Sequence, residues 1–107
     1  MLPAGKRDKR VTIQRFTTTP DAYNEDIEEW ADLATRWSAI YYGKGEERRQ
    51  AAVEMGKQSA SFVMLSDSVT KTVALTDRLF FKGDNWDIIG ISPMGRAEIE
   101  FTAVRAL

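Results

Sequence analysis

An alternating segment near the start of the chain restricts the possible folds most strongly. Within residues 9–16, Val11 and Ile13 alternate with polar and charged side chains, which is the spacing of a strand with one buried face. Pro20 lacks the N–H group that a sheet ladder requires. Residues 21–24 (Asp-Ala-Tyr-Asn) have the composition of a turn. The chain is therefore expected to begin as β-structure.

Further strand-like segments follow, separated by turn residues. Residues 36–42 and 86–91 are rich in aromatic and β-branched side chains, which favour strands. Residues 26–33 fit either a helix or a strand, and a short hairpin with the next segment is the simpler arrangement. Shorter segments at 61–65, 79–81 and 96–104 complete the pattern.

Residues 43–60 interrupt the strand pattern. Strong helix formers fill residues 46–55, and acidic residues precede basic ones, which complements a helix dipole. The apolar content is small, so the segment is expected to form either a short helix or a long loop. Lys44 lies between two glycines, but the Lys-Ser/Thr of a phosphate-binding loop is missing, which favours a hinge.

These segments predict a mainly β fold, a small barrel or sandwich of six to seven antiparallel strands. The insertion at 43–60 would follow the third strand. A length of 107 residues suits a single domain spanning 1–107, with residues 1–8 as a mobile N-terminal arm. The expected core includes Val11, Ile13, Trp37, Phe62, Leu79, Trp86, Ile88 and Phe101, and in the last strand Ala97, Ile99 and Ala103 would face inward, opposite Glu98, Glu100 and Thr102.

The residue types that are missing limit the chemistry. The chain has neither cysteine nor histidine, which removes disulfides, thiolate metal sites and the usual proton-transfer group near neutral pH. Acids within residues 25–29 would point to opposite faces of a strand and would not converge on a metal ion. Asp84 and Asp87 suit a hairpin turn better than a catalytic pair. We expect no enzyme, no catalytic residue, no metal and no cofactor.

Charge is segregated along the sequence, although the formal net charge is only −1. The first fifteen residues are mainly basic, whereas residues 21–32 contain acids and no base. Segregated charge of opposite sign suits contact with another copy of the chain or with a charged neighbour. Two ordinary solvated surfaces would produce the same pattern.

The aromatic residues allow a second interpretation of function. Trp30, Trp37, Tyr41, Tyr42 and Trp86 could stack against single-stranded nucleic acid on a small barrel. Such a domain usually adds a basic groove, whereas acids are interleaved with the aromatic residues here. Packing in a core or an interface is therefore favoured, and a small β-barrel nucleic-acid-binding module is the alternative.

The order of segments resembles that of phage head-tail joining proteins, also called head-closure or stopper proteins, in the head-tail adaptor family of tailed phages. The resemblance covers nearly the whole chain, and its short motifs are mostly structural. Asn24 replaces a usual glycine, and residues 62–65 lack an arginine often found there. The matching segments are 10–15 (Arg-Val-Thr-Ile-Gln-Arg), 21–24, Trp30, 37–40 (Trp-Ser-Ala-Ile), 45–47, 77–79, Gly83 and 86–88.

The resemblance implies a structural virion protein that forms a ring in the phage neck. This ring would join the DNA-filled head to the tail and help to close the DNA exit channel. The implied partners are further copies of the chain, the neck adaptor or portal complex and tail proteins, with possible non-specific contact to packaged double-stranded DNA and no membrane. We expect synthesis in the bacterial host cytoplasm and location at the head-tail interface of a phage, prophage or gene-transfer relative.

Two groups of residues follow as candidate sites. The insertion is predicted to line or plug the channel, with Lys44, Glu46, Glu47, Arg48, Arg49 and Lys57. Contacts between rings or between subunits are predicted for Lys6, Arg7, Lys9, Arg10, Glu25, Asp26, Glu28 and Glu29.

Overall fold

The computed structural model describes residues 7–42 and 56–106, which form six antiparallel β-strands. A single turn of 3-10 helix, Thr70–Thr72, lies between the third and fourth strands. The expectation of a mainly β fold is confirmed. The strands are β1 (Lys9–Pro20), β2 (Asp26–Tyr42), β3 (Lys57–Leu65), β4 (Arg78–Phe81), β5 (Asp84–Met94) and β6 (Glu98–Ala106).

The strands pair in the order β1-β2-β3-β6-β5-β4, and β4 returns to β1 to close a barrel. The closing contact is short and joins Thr12, Ile13 and Gln14 to β4. The pairing of β3 with β6 is longer and runs from Lys57 opposite Ala106 to Leu65 opposite Glu98. Closure satisfies the backbone of the barrel strands without leaving long free edges within it.

Alternate side chains of the strands fill the barrel. Trp86, Phe62 and Phe101 are the largest fully buried side chains, and the ring of Phe62 lies edge-on to Trp86 at 5.2 Å. The predicted core is confirmed for Val11, Ile13, Phe62, Leu79, Trp86, Ile88 and Phe101, and Ile99 and Ala103 also face inward.

Trp37 and Ala97, which were predicted for the core, are exposed. Glu98, which was predicted to face outward, is buried. Trp37 lies opposite Arg10 on the outer face of the β1–β2 pair and is 52% exposed. Ala97 is exposed because it belongs to the turn before β6 rather than to the strand. Glu98 is buried, although it alternates with the inward-facing Ile99.

The two strands predicted for residues 26–33 and 36–42 are one continuous strand of 17 residues, β2. A register shift leaves Leu33 as an extra residue, since Ile13 pairs with Ala34 and Gln14 pairs with Asp32. Such a bulge bends a strand without ending it. The predicted insertion therefore follows the second strand, not the third.

The boundaries of that insertion also differ from the prediction. β3 begins at Lys57, so residues 57–60 belong to the barrel. Residues 43–55, with the predicted helix, lie outside the described residues. The same holds for residues 1–6 of the predicted arm.

The β1–β2 hairpin projects beyond the barrel. β1 pairs with β4 only as far as Gln14, and β2 pairs with β3 only from Ser38 onward. Within the described chain, the outer parts of the two strands therefore pair only with each other. At the tip, Asn24 has a φ of 61°, a left-handed conformation that asparagine tolerates better than most residues. The turn predicted for residues 21–24 is confirmed.

The connection between β3 and β4 packs against the hairpin through two arginine–aspartate pairs. Arg15 donates through Nε and Nη2 to the carboxylate of Asp77, each at 3.1 Å, and Arg36 Nε donates to Asp67 at 2.8 Å. Asp77 is 4% exposed and also accepts the backbone N–H of Ala74 at 2.9 Å. These contacts fix the base of the projecting hairpin on the barrel.

Replacement of Asp77 by alanine is expected to lower the free energy of unfolding by about 2–4 kcal/mol, because it leaves Arg15 and the Ala74 N–H without their buried acceptor. Urea unfolding followed by tryptophan fluorescence measures this loss. Asp87→Ala is the control, since Asp87 is an exposed carboxylate on β5 and its removal should cost less than about 0.5 kcal/mol. Equal losses in the two variants would contradict the assignment.

A fall in pH is expected to weaken the contact between the β3–β4 loop and the hairpin, because it protonates Asp67. Partial burial opposes ionisation, but hydrogen bonds from Thr70, Arg36 and Val69 outweigh it and hold the pKa of Asp67 below its usual value of 3.8. A carboxylate with a lowered folded-state pKa stabilises the fold above its unfolded pKa, and this stabilisation disappears as the pH falls through the folded value. The stability difference between the natural chain and Asp67→Asn should therefore shrink from about pH 7 to about pH 3. A constant difference would exclude this role.

Candidate functional site

The projecting hairpin is acidic and contains no base. Between Arg15 and Arg36 the sequence carries only acids among its charged residues. The carboxylates predicted as contact residues are all exposed there, and they are Glu25, Asp26, Glu28 and Glu29. We call residues 16–30 the acidic hairpin.

The acidic hairpin also exposes large apolar side chains. Tyr23 is 86% exposed, Ile27 46% and Phe16 43%. Phe16 packs edge-on against Trp30 at 5.4 Å, and the guanidinium of Arg78 covers the Trp30 ring at 4.1 Å. Phe16 and Ile27 lie on opposite faces of the hairpin, since their partners in the pairing are Trp30 and Thr19, and a two-stranded ribbon is only marginally stable by itself in water. The acidic hairpin thus has the properties of an assembly element.

At the opposite end of β2, aromatic and cationic side chains surround a cleft of about 240 Å³. Two cations lie against its rings: Arg105 is 5.6 Å from the centre of Trp86, and Lys82 Nζ is 5.4 Å from the centre of Phe81. We call this the cationic cleft. Its lining residues are Tyr42, Gln58, Phe81, Lys82, Asp84, Trp86 and Arg105.

The tip of the acidic hairpin and the cationic cleft are separated by the full length of β2. Asp26, next to the hairpin tip, and Tyr42, in the cleft, are the first and last residues of that strand. A straight strand of this length spans about 50 Å, and the longest dimension of the molecule is 50 Å. One molecule therefore cannot bring its own two charged ends together, whereas two copies can.

The structure places part of the predicted basic arm in contacts within the chain. Arg7 Nη1 donates to Glu98 Oε2 at 2.9 Å, and the two side chains are 14% and 9% exposed. β1 and β6 are not neighbours in the barrel, so this pair joins the segment before β1 to a strand with which β1 does not pair. Lys9 pairs with Asp8 at 3.0 Å, and Arg10 lies 5.1 Å from the centre of the Trp37 ring.

Of the other predicted site residues, one lies beside the cationic cleft, and the rest belong to segments that the structure does not describe. Lys57 is exposed at the start of β3, next to Gln58 in the cationic cleft. Lys6, Lys44, Glu46, Glu47, Arg48 and Arg49 lie outside the described residues. The cationic cleft itself was not predicted, because it combines side chains from five strands that are distant in sequence.

The aromatic side chains do not form a common stacking surface. Trp86 is 2% exposed in the core and Trp30 lies under Arg78, while Trp37 is 52% exposed on the outer face of the barrel with Arg10 beside its ring. This distribution does not favour the alternative of single-strand binding, which requires successive exposed rings.

Within residues 7–42 and 56–106, no group of three or more acidic side chains is placed to bind a metal ion. No helix in the described part of the chain is long and apolar enough to cross a membrane.

Comparison with known proteins identifies relatives of the fold. The solution structure of protein SF1141 from Shigella flexneri 2a is 23% identical, with 98% of this chain and 96% of that chain covered and a TM-score of 0.72. A chain from the virion of a native gene transfer agent particle is 15% identical, with 94% of each chain covered and a TM-score of 0.64. At these identities the likeness shows the fold alone. No curated protein matches significantly.

The family comparison covers almost the entire chain. The match is to the phage head completion protein family and includes residues 2–106. The predicted resemblance to phage head-tail joining proteins is thus confirmed at the level of the family. The chain belongs to the phage head completion protein family and is a structural protein of the virion.

Proposed function

We propose that the chain assembles into a homo-oligomeric ring in the neck of a tailed phage or related particle. There it joins the DNA-filled head to the tail and helps to close the DNA exit channel. The observation that carries the proposal is the placement of the acidic hairpin and the cationic cleft at opposite ends of β2. Contacts between two different surfaces of identical copies propagate from copy to copy, and they close into a ring when the rotation permits.

The packed barrel suits a mechanical role in this ring. Phe62, Trp86 and Phe101 fill its interior, so DNA has no path through the barrel of a single chain. A DNA channel would have to lie on the axis of the ring, between copies. The Arg15–Asp77 and Arg36–Asp67 pairs fix the hairpin base on the barrel, which would give each copy a defined direction of contact.

The segment between β2 and β3 is proposed as the part closest to the channel. Its support is the sequence, since residues 43–55 lie outside the described residues. Glycines bound the segment, and Lys44, Arg48 and Arg49 are interspersed with Glu46 and Glu47. The basic side chains could contact the phosphates of the last packaged DNA without sequence preference.

Particles made without this chain are expected to contain filled heads that lack tails and lose their DNA, because no ring joins the head to the tail. Electron microscopy and nuclease-protected DNA measure the two defects, and supplying the natural chain in trans should correct both. Normal tailed particles in its absence would contradict the proposed function.

Removal of residues 44–55 tests the channel assignment separately. The deletion ends before Gly56 because Lys57 begins β3, so the barrel strands remain intact. We expect particles that still join head to tail but retain less DNA. A Gly/Ser segment of equal length is the control that separates loss of the side chains from shortening. Unchanged DNA retention in both variants would exclude the channel role and leave the ring intact.

The alternative, a nucleic-acid-binding module, is distinguished by binding of the isolated chain. That function requires salt-dependent affinity for DNA by the monomer. The neck protein is instead expected to bind DNA weakly until a ring forms.

A further inference from the structure

We propose that the tip of the acidic hairpin of one copy inserts into the cationic cleft of the next copy. Tyr23 would occupy the cleft, and Glu25 and Asp26 would lie against its cationic rim. The inference rests on the proposed ring and identifies the contact that builds it.

The hairpin tip presents Tyr23 in a fixed position. Asp21 Oδ1 accepts the N–H groups of both Tyr23 and Glu25 at 2.8 Å, and the N–H of Asp21 donates to the carbonyl of Glu25 at 2.8 Å. Tyr23 is 86% exposed and thus has little support from its own chain. A tyrosine loses little conformational freedom on binding, since only two side-chain torsions become fixed.

The cationic cleft has the size and chemistry to accept a phenol ring. Cavities of about 150 Å³ bind benzene in other proteins, and this cleft encloses about 240 Å³. Tyr42 is 53% exposed and offers the accessible ring of the lining, whereas Phe81 and Trp86 close its floor from the core.

The charges around the two surfaces are complementary. Arg105 donates to Gln58 at 3.0 Å and lies 3.8 Å from Asp84, so its charge is only loosely neutralised. Within the described residues, Lys82 has a ring contact and no carboxylate partner. Carboxylates on both sides of the incoming tip would pair with these cations, and such complementarity also sets the orientation of the contact.

The contact cannot form within a single copy, because its two halves lie at opposite ends of β2. Each copy would therefore use its tip on one neighbour and its cleft on the other. This arrangement is a head-to-tail contact, the type that generates rings.

Charge reversal at position 82 tests the cleft without disturbing its turn. Lys82 and Gly83 have φ values of 50° and 81°, and Asp-Gly is a preferred sequence for such a turn. Lys82→Asp and Tyr23→Ala are each expected to weaken self-association by roughly tenfold or more in sedimentation experiments. Lys71→Asp reverses an exposed lysine on the 3-10 turn and should leave self-association unchanged. Adding Glu25→Lys to Lys82→Asp should restore part of the loss.

Engineered disulfides test the same contact in assembled particles, because the natural chain has no cysteine. A variant carrying both Ala22→Cys and Asp84→Cys should form a ladder of linked multimers on oxidation, whereas each single variant should stop at dimers. Disulfides to a different virion protein would show that the cleft receives another partner and would overturn the proposal.

The outcomes separate this contact from the proposed function. Rings that assemble normally in every variant, without a disulfide ladder, would refute the tip-in-cleft contact and leave the ring in place. Particles in which the natural chain forms no ring would refute the proposed function, and the contact would fall with it.

Discussion

The continuity of β2 is the constraint on which the rest of the structure depends. The strand runs without a break from Asp26 to Tyr42, because the bulge at Leu33 absorbs a change of register instead of ending the strand. Its second half is a wall of the barrel, and its first half leaves the barrel with β1 as a two-stranded ribbon. One element thus separates the acidic hairpin from the cationic cleft, and the two surfaces are available to different neighbours.

Two ion pairs hold the base of the β1–β2 ribbon on the barrel. A hairpin that pairs only with itself would pivot at its base, but Arg15 and Arg36 connect that base to Asp77 and Asp67 of the β3–β4 loop. The Arg15–Asp77 pair has one nearly buried partner, so breaking it leaves an uncompensated charge in the protein. Within residues 7–42 and 56–106, no ion pair neutralises the carboxylates of the exposed part of the hairpin, and its charges are available there for other molecules.

Much of the fold could be predicted from the sequence because period-two alternation reports directly which face of a strand is buried. Val11, Ile13 and Phe101 were assigned correctly on this basis. The prediction of Trp37 in the core is wrong, because its position opposite Arg10 places it on the outer face. The Arg7–Glu98 pair and the cationic cleft were not predictable, since both depend on strand order in the closed barrel. The segregated charges were visible in the sequence, but only the register of β2 places the acidic ones at one end of the molecule.

The central claim is that identical copies meet through oppositely charged ends to form a ring in the virion. Cryo-electron microscopy of purified particles tests it most directly, by resolving the copies of this chain at the junction of head and tail. The account predicts a closed ring in which the acidic hairpin of each copy reaches the cationic cleft of its neighbour. A single copy at the junction, or a ring whose copies touch only through other surfaces, would contradict it.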